Sequence, residues 1–225
     1  MEIIKTGERC FCSWSGGKDS CLALHRAVDL GGVPEYLFTM LHEDGTHSRS
    51  HSIPLDVLQA QADCMNIPLV TGSATWNEYE EVFIDALHKF QRKGITAGVF
   101  GDIDLQGHLE WEEKVCGAAN IKPCLPLWKC ERLDILDELF HLGYKAMIVT
   151  INTKLMDAKY LGRVITPNLV DEFERAGIDP CGENGEYHTI VFDGPLFRRP
   201  LELKKGKSVQ HTERYVSMQL STDNR

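Results

Sequence analysis

The chain lacks an apolar run long enough to cross a bilayer, and residues 1–9 are too polar and mixed for a secretory signal. Basic residues are also few, because 24 Lys and Arg stand against 33 Asp and Glu, for a net charge of −9. Such an acidic chain is poorly suited to non-specific binding of nucleic acid. We therefore expect a cytoplasmic protein that binds neither membranes nor nucleic acid through bulk charge.

Cys-x-x-Cys pairs, the usual signal of a zinc or thiol-redox site, are absent although the chain has eight cysteines. In the cytoplasm these cysteines are expected to be free thiols. Cys10 and Cys12 share one face of a predicted strand, while Cys124 and Cys130 have no obvious further ligands beside them. Buried, small apolar side chains are the favoured interpretation, and a zinc site is the alternative.

A Walker loop and a Gly-x-Gly-x-x-Gly pattern are both missing around the one Gly-Gly-Lys sequence, Ser15-Gly16-Gly17-Lys18-Asp19-Ser20. This run lies between an apolar segment and a helical one. A glycine pair there can turn the backbone sharply, and the helix that follows directs unpaired N–H groups at the same point. Lys18 adds a positive charge and the serines add hydroxyl donors. The run predicts a polyphosphate site, with a solvated glycine turn as the alternative.

Apolar and amphipathic segments alternate over the first half of the chain, which predicts a parallel sheet with helices on both faces. Loops that follow its strands should gather at one edge, where such sheets bind ligands. The predicted strands are 9–14, 35–41, 68–71, 96–100 and 123–127, and the predicted helices are 19–30, 54–66 with Ser52 as its cap, 77–93 and 110–120.

The second half mixes helices with a strand-rich end. Helices are predicted at 131–142 and from Thr166-Pro167 onward, and strands at 145–151, 188–192, 201–203 and 215–220, with Lys204-Lys205-Gly206-Lys207 as a turn and 221–225 as a mobile end. We predict an α/β fold in which a Rossmann-like nucleotide-binding domain spans 1–130. A smaller α+β domain for substrate recognition spans 131–225.

A second dense cluster is Gly182-Glu183-Asn184-Gly185-Glu186-Tyr187-His188-Thr189. It gathers two carboxylates, an amide, a phenol and an imidazole, which is typical of a site that meets a ligand. Asn-Gly is also a strong turn signal, so a solvated hairpin turn is the alternative.

Several motifs together resemble those of the diphthine–ammonia ligase family of ATP pyrophosphatases, proteins of the adenine nucleotide alpha-hydrolase-like class. The resemblance spans nearly the whole chain, and Ser50-His51 is most similar to bacterial-type members. One departure is His108-Leu109, where the family pattern carries His-Arg. In chain order the motifs are Ser13-Trp14 with the Ser15–Ser20 run, Gly101-Asp102-Ile103, Pro126-Leu127-Trp128, Leu161-Gly162-Arg163 and Asp179-Pro180-Cys181 with the Gly182–Thr189 run.

The resemblance implies an ATP-dependent amide ligase. In the family, the carboxylate of diphthine, a modified histidine of elongation factor 2, is converted to an amide with ammonium. Three alternatives are the same chemistry on another carboxylate such as a cobalamin-pathway metabolite, tRNA modification, and an adenine-nucleotide sensor without turnover. The missing Cys-x-x-Cys pairs and the acidic charge disfavour tRNA modification. Free ammonium is the expected nitrogen source, and a homodimer is a possible assembly.

The same resemblance implies residue roles in nucleotide binding. We expect Asp19 and Asp102 to hold Mg²⁺, a hard cation that prefers oxygen ligands, although Asp is also favoured at helix starts. The segment 49–51 is expected to close over the phosphates, and the strand 38–41 to contact adenine. The predicted ATP-binding residues are Ser15, Gly16, Gly17, Lys18, Asp19, Ser20, Met40, His51, Gly101 and Asp102.

Substrate recognition is implied for the second cluster. One of its glutamates is expected to hold ammonium before deprotonation, without the sequence indicating which one. The predicted substrate-binding residues are Glu183, Asn184, Glu186, Tyr187, His188 and Thr189. The predicted catalytic residues are Lys18, Asp19, Asp102, Glu183 and Glu186.

Overall fold

A computed structural model describes residues 3–222, which divide into two compact units. The first unit contains residues 3–15, 19–49 and 67–130, and the second contains 16–18, 50–66 and 131–222. No helix within 3–222 is long and apolar enough to cross a membrane. The assignment of separate functions to 1–130 and 131–225 stays a prediction.

The described residues contain nine strands, six α-helices and a single 3₁₀ turn at Ala158–Tyr160, connected by loops. The strands are β1 (Arg9–Ser13), β2 (Val33–Leu41), β3 (Leu69–Ser73), β4 (Ala97–Val99), β5 (Lys122–Cys124), β6 (Lys145–Asn152), β7 (Tyr187–Asp193), β8 (Leu203–Gln210) and β9 (Tyr215–Thr222). The helices are α1 (Lys18–Asp29), α2 (Leu55–Met65), α3 (Tyr79–Arg92), α4 (Gln106–Ala118), α5 (Arg132–His141) and α6 (Pro167–Arg175).

The first unit is built on a five-stranded sheet in the order β3-β2-β1-β4-β5. Every neighbouring pair is parallel, so the predicted α/β class is confirmed. The carboxyl ends of these strands therefore share one edge. Strands β2 and β3 lie on one side of β1, and strands β4 and β5 lie on the other. The carboxyl-end edge between β1 and β4 is therefore the switch point at which such sheets bind ligands.

An aromatic cluster forms the core between this sheet and helix α3. Phe90 stacks on Phe11 of β1 at a ring-centroid distance of 5.1 Å and on Tyr36 at 5.3 Å. Phe38 meets the edge of Phe90 at 5.6 Å. The helical spacing of α3 places Phe83, Ala86, Leu87 and Phe90 on its buried side, as its amphipathic sequence predicts.

The second unit carries an antiparallel sheet in the order β7-β6-β9-β8. Helix α2 lies against β9. Helix α6 begins as its sequence predicts, because the Thr166 hydroxyl accepts a hydrogen bond from the Leu169 N–H at 3.3 Å and Pro167 occupies the first turn. These features give the unit the mixed α+β character expected for the second half of the chain.

Several local predictions are wrong. Lys204–Lys207 lies inside β8 instead of forming a turn, and the register shift between Lys205 and Ser208 shows that the glycine there accompanies a bulge. Helix α2 has Pro54 at its cap position without a side-chain cap bond, so Ser52 is not its cap. Strand β5 ends at Cys124, before the predicted 127. Ser221 and Thr222 continue β9, and 223–225, also predicted to be mobile, lie outside the described residues.

All eight cysteines are free thiols, and all except Cys130 are buried. Burial, with smaller contributions from nearby acidic groups, raises the pKa of the Cys10 thiol to about 12. Buried neutral thiols agree with the favoured interpretation of these side chains as small apolar groups.

Replacement of Phe90 by alanine is expected to lower the free energy of unfolding by about 3–5 kcal/mol. Phe90 is 2% exposed and contacts three other rings, so the substitution leaves a cavity that the surrounding rings cannot fill. Urea unfolding followed by circular dichroism measures the change. The exposed Leu30→Ala variant is the control, and an equal loss in both variants would contradict this account of the core.

Candidate active site

Gly101 brings the loop after β4 close to the start of α1, within the first unit. A Cβ at this position would lie 2.7 Å from the backbone nitrogen of Ser20 and 2.8 Å from the carbonyl carbon of Asp19. Only glycine permits this approach of two backbones. Asp102 therefore follows directly after the point at which this loop meets the first turn of α1. Ser15 Oγ and Ser20 Oγ lie 3.0 Å apart and share a hydrogen bond.

Asp102 is held by two side chains of α4. Its Oδ1 lies 2.6 Å from His108 Nδ1, and Glu112 forms a second hydrogen bond to its carboxylate. Burial acts to raise the pKa of Asp102, but the bonds to His108 and Glu112 outweigh burial and lower it. Asp102 is therefore ionised, and an ionised carboxylate suits a hard cation.

Glu112 is a buried acid that the sequence analysis missed. It is 2% exposed, and burial together with the neighbouring Asp102 raises its pKa to about 11. Its carboxyl group is therefore protonated at neutral pH and donates its proton to Asp102. The only sequence signal was the spacing from His108 to Glu112, which puts both side chains on one face of α4.

Met40 and Arg49 lie at the carboxyl end of β2. The Met40 side chain is buried in the aromatic cluster, and its carbonyl accepts a hydrogen bond from the Arg49 N–H at 3.1 Å. The Arg49 guanidinium donates to the Ala74 carbonyl and lies 4.6 Å from the ring centroid of the exposed Trp76. A role for Met40 in adenine binding stays a prediction.

In the second unit, residues Gly16–Lys18 lie along β7. The Val191 N–H donates to the Gly16 carbonyl at 2.9 Å, and the Lys18 N–H donates to Thr189 Oγ1 at 3.0 Å. Gln61 Nε2 donates to the carbonyls of both Gly16 and Val191, at 3.0 and 2.7 Å. The centre of the glycine-rich run is thus bound to the strand that carries the second cluster.

His51 lies against the same three-residue segment. Its Nδ1 is 2.9 Å from the Thr189 carbonyl, so this nitrogen carries the proton. A Cβ on Gly17 would lie 2.5 Å from His51 Cε1, which explains the glycine. The His51 ring also lies 4.5 Å from the His188 ring. His51 therefore contacts both sequence clusters, and its closure over the phosphates stays a prediction.

Lys18 and Glu183 form the ion pair at the centre of this arrangement. Lys18 Nζ lies 3.7 Å from Glu183 Oε1 and 5.8 Å from the centroid of the Tyr187 ring. Lys18 is only 4% exposed. A buried ammonium needs a nearby anion, and Glu183 supplies it here.

Glu186 has a different setting from Glu183. It is 6% exposed, and its two oxygens accept hydrogen bonds from the backbone N–H and the side-chain amide of Asn184, at 3.1 and 3.3 Å. The Tyr187 hydroxyl donates to the Pro180 carbonyl. The segment is a turn, as the Asn-Gly signal indicates, but its side chains at 186, 187 and 189 are buried instead of solvated.

His188 is held in its neutral form. Burial lowers its pKa well below the ordinary value of 6.5, and the nearby His51 and Lys18 lower it further. A neutral imidazole near the buried Lys18 ammonium avoids adding a second positive charge to this part of the second unit.

Two family models match the chain. The Diphthamide synthase N-terminal domain matches residues 8–123, and the Diphthamide synthase C-terminal domain matches residues 131–221. The N-terminal model alone covers more than half of the chain.

The curated relatives that the chain resembles include diphthine–ammonia ligases from several organisms. The chain is 26% identical over 226 residues to the diphthine–ammonia ligase of Schizosaccharomyces pombe, an alignment that covers 88% of this chain but 36% of that protein. The diphthine–ammonia ligases of Mus musculus and Homo sapiens are each 24% identical, over 88% of this chain and 84% of those proteins. A solved structure, described as a predicted subunit of tRNA methyltransferase from Methanocaldococcus jannaschii, matches with a TM-score of 0.46 and 14% identity, over 84% of this chain and 98% of that one.

The neutral state of His188 predicts a stability that declines in mild acid. An unfolded histidine takes up a proton as the pH falls through 6.5, whereas folded His188 does not, so unfolding becomes easier below that pH. Between pH 7.5 and 5.5 this linkage removes about 1 kcal/mol from the free energy of unfolding. His188→Gln should lack that component, whereas the exposed control His141→Gln should keep it. Equal pH dependence of urea unfolding in the wild type and His188→Gln would contradict the assignment.

Proposed function

The chain belongs to the diphthamide synthase family, and from that membership we propose that it is an ATP-dependent ligase that converts the carboxylate of diphthine to an amide with ammonia. The observation that carries the proposal is the ion pair between Lys18, in the glycine-rich run, and Glu183, in the second cluster, at 3.7 Å. This pair places the group suited to phosphate beside a group suited to ammonium in the second unit.

Adenylation explains why such an enzyme needs a phosphate loop. A carboxylate resists attack by ammonia because it is negatively charged and has no good leaving group. In the proposed reaction the substrate carboxylate attacks the α-phosphorus of ATP, the bond to the β-phosphate oxygen breaks, and pyrophosphate leaves. Ammonia then attacks the acyl carbon, loses a proton, and displaces AMP.

The residues of the glycine-rich run stabilise charge on the leaving pyrophosphate. Gly16 and Gly17 keep the backbone close to the anion, and Lys18 supplies a positive charge. Ser20 in the first turn of α1, and Ser15 just before that helix, supply hydroxyl donors. His51, through its contacts with Gly17 and Thr189, keeps the loop in the shape that receives the phosphates.

The residue set at the start of α1 fits a magnesium ion. Asp19 lies in the first turn of α1, and the backbone contact at Gly101 brings the ionised Asp102 to the same turn. These two carboxylates would hold the ion, which would supply charge neutralisation for the phosphates. His108 and Glu112 keep the Asp102 carboxylate in one orientation, so it is preorganised for that task.

Glu183, more than Glu186, is suited to hold ammonium and receive its proton. The Glu186 oxygens already accept two hydrogen bonds from Asn184, and that carboxylate shapes the turn. Glu183 points toward Lys18 and has a partly exposed side chain. Asn184, Tyr187, His188 and Thr189 then form the surroundings of the acceptor. Binding of adenine beside Met40, a cytoplasmic location and a homodimer stay predictions.

Lys18→Ala is expected to reduce AMP formation by about 10²–10³-fold without loss of the fold, because it removes the cation that stabilises the leaving pyrophosphate. The assay measures AMP and pyrophosphate from ATP, ammonium and a diphthine-bearing substrate. Lys145→Ala, which removes an exposed lysine paired with Asp193 at 3.0 Å, is the control and should retain activity. Unchanged turnover in Lys18→Ala would remove the loop from the mechanism.

Glu183→Gln and Glu186→Gln are expected to separate two roles. Both should bind ATP normally in a calorimetric titration, since neither carboxylate is assigned to the nucleotide. Glu183→Gln should lower amide formation by about 10²-fold, because it loses the proton acceptor. Glu186→Gln should mainly harm the substrate-dependent step through a loosened turn, by about tenfold. Loss of ATP binding in either variant would contradict this division.

A further inference from the structure

Asp179 ties together the loop that precedes β7. Its Oδ2 accepts hydrogen bonds from Arg132 Nη1 at 2.6 Å and from the Glu183 N–H at 2.8 Å. Its Oδ1 accepts another from the Cys181 N–H at 3.1 Å, which makes an Asx turn. The Asp179 side chain is 8% exposed. One buried carboxylate thus fixes the backbone on both sides of Gly182.

Arg132 provides the charge that this buried carboxylate needs. Besides Asp179, its Nη1 donates to Asn184 Oδ1 at 3.2 Å, so one guanidinium spans the turn. Arg132 is the first residue of α5, and a cation at a helix N-terminus is disfavoured by the helix dipole. Helix stability therefore does not explain the residue, whereas its contacts with the loop do.

We propose that Asp179 and Arg132 are positioning residues for the ligase reaction, which set Glu183 against Lys18. The Glu183 backbone N–H is bound to Asp179 while its carboxylate lies 3.7 Å from Lys18 Nζ, so the main-chain bond determines where the carboxylate can reach. Neither residue touches the reacting groups; each acts through Glu183. This inference rests on the proposed function, because that function gives Glu183 its task.

A double-mutant cycle tests whether Asp179 acts through Glu183. Asp179→Asn keeps the shape of the side chain but removes its charge. It should lower kcat/KM for ammonium by about tenfold or more in the wild-type background. In the Glu183→Gln background the same change should cost less than about twofold. Equal fold losses in the two backgrounds would show that Asp179 only supports the loop, and would overturn the proposal.

Arg132 supplies a second variant in case Asp179→Asn folds poorly. Arg132→Gln should reproduce the loss, and Arg132→Lys, which keeps the charge, should restore part of it. The control Lys145→Gln breaks the exposed ion pair with Asp193 and should change neither kcat nor KM. Full activity in Arg132→Gln would overturn the role of the guanidinium.

A readout independent of turnover separates this proposal from the proposed function. The ¹³C resonance of the Glu183 carboxyl carbon, assigned by its absence in Glu183→Gln, should shift in Asp179→Asn and in Arg132→Gln but not in Lys145→Gln. An unmoved resonance in both variants would overturn the positioning role whatever the activity. A moved resonance in a protein that releases no AMP from ATP, ammonium and the diphthine-bearing substrate would leave positioning intact and overturn the ligase function.

Discussion

The hydrogen bonds that hold Gly16–Lys18 along β7 are the constraint on which the candidate site depends. Gln61 donates to the carbonyls on both sides of this contact, at Gly16 and Val191, so it fixes the spacing between loop and strand. Lys18 is held through its own N–H on Thr189. These bonds fix the Lys18 backbone beside β7, and its ammonium lies 3.7 Å from Glu183 Oε1.

Electrostatics accounts for the residue types around that ammonium. A buried cation is costly unless an anion faces it, and Glu183 is that anion. A second cation nearby would add repulsion, and the lowered pKa of His188 keeps its ring neutral. Lys18 and Glu183 therefore balance each other's charge at this point of the second unit. In the proposed reaction, Lys18 faces the ATP phosphates and Glu183 takes up ammonium.

Much of the fold could be predicted from the sequence, because the elements are encoded locally. In α3, for example, the spacing of apolar residues along the chain is enough to indicate a helix and its buried face. The Ser15–Ser20 and Gly182–Thr189 runs could also be recognised, since each concentrates unusual residue types. Gln61, Glu112 and Arg132 could not be found in this way. The partners of Gln61 and Arg132 lie far along the chain, and the contact of Glu112 with Asp102 depends on where α4 begins. In the sequence, each of the three is an ordinary polar residue of an amphipathic helix. The turn prediction for Lys204–Lys207 was wrong for a related reason. Glycine among lysines indicates a turn or a bulge equally well, and only the pairing of β8 with β9 decides between them.

The two helices that escaped functional prediction act on the candidate site by the same physical means. Within the first unit, α4 uses His108 and the protonated Glu112 to orient an ionised Asp102. Within the second unit, α5 uses Arg132 to stabilise Asp179, whose carboxylate then fixes the turn. In both cases a carboxylate near the proposed chemistry is held by donors from a helix, so it loses little conformational entropy when a ligand binds. Preorganisation of this kind matters most for a reaction in which the protein mainly positions groups and offsets charge, as phosphoryl chemistry requires. Residues one contact away from the reacting groups should therefore also influence the rate, because they determine how those groups are oriented.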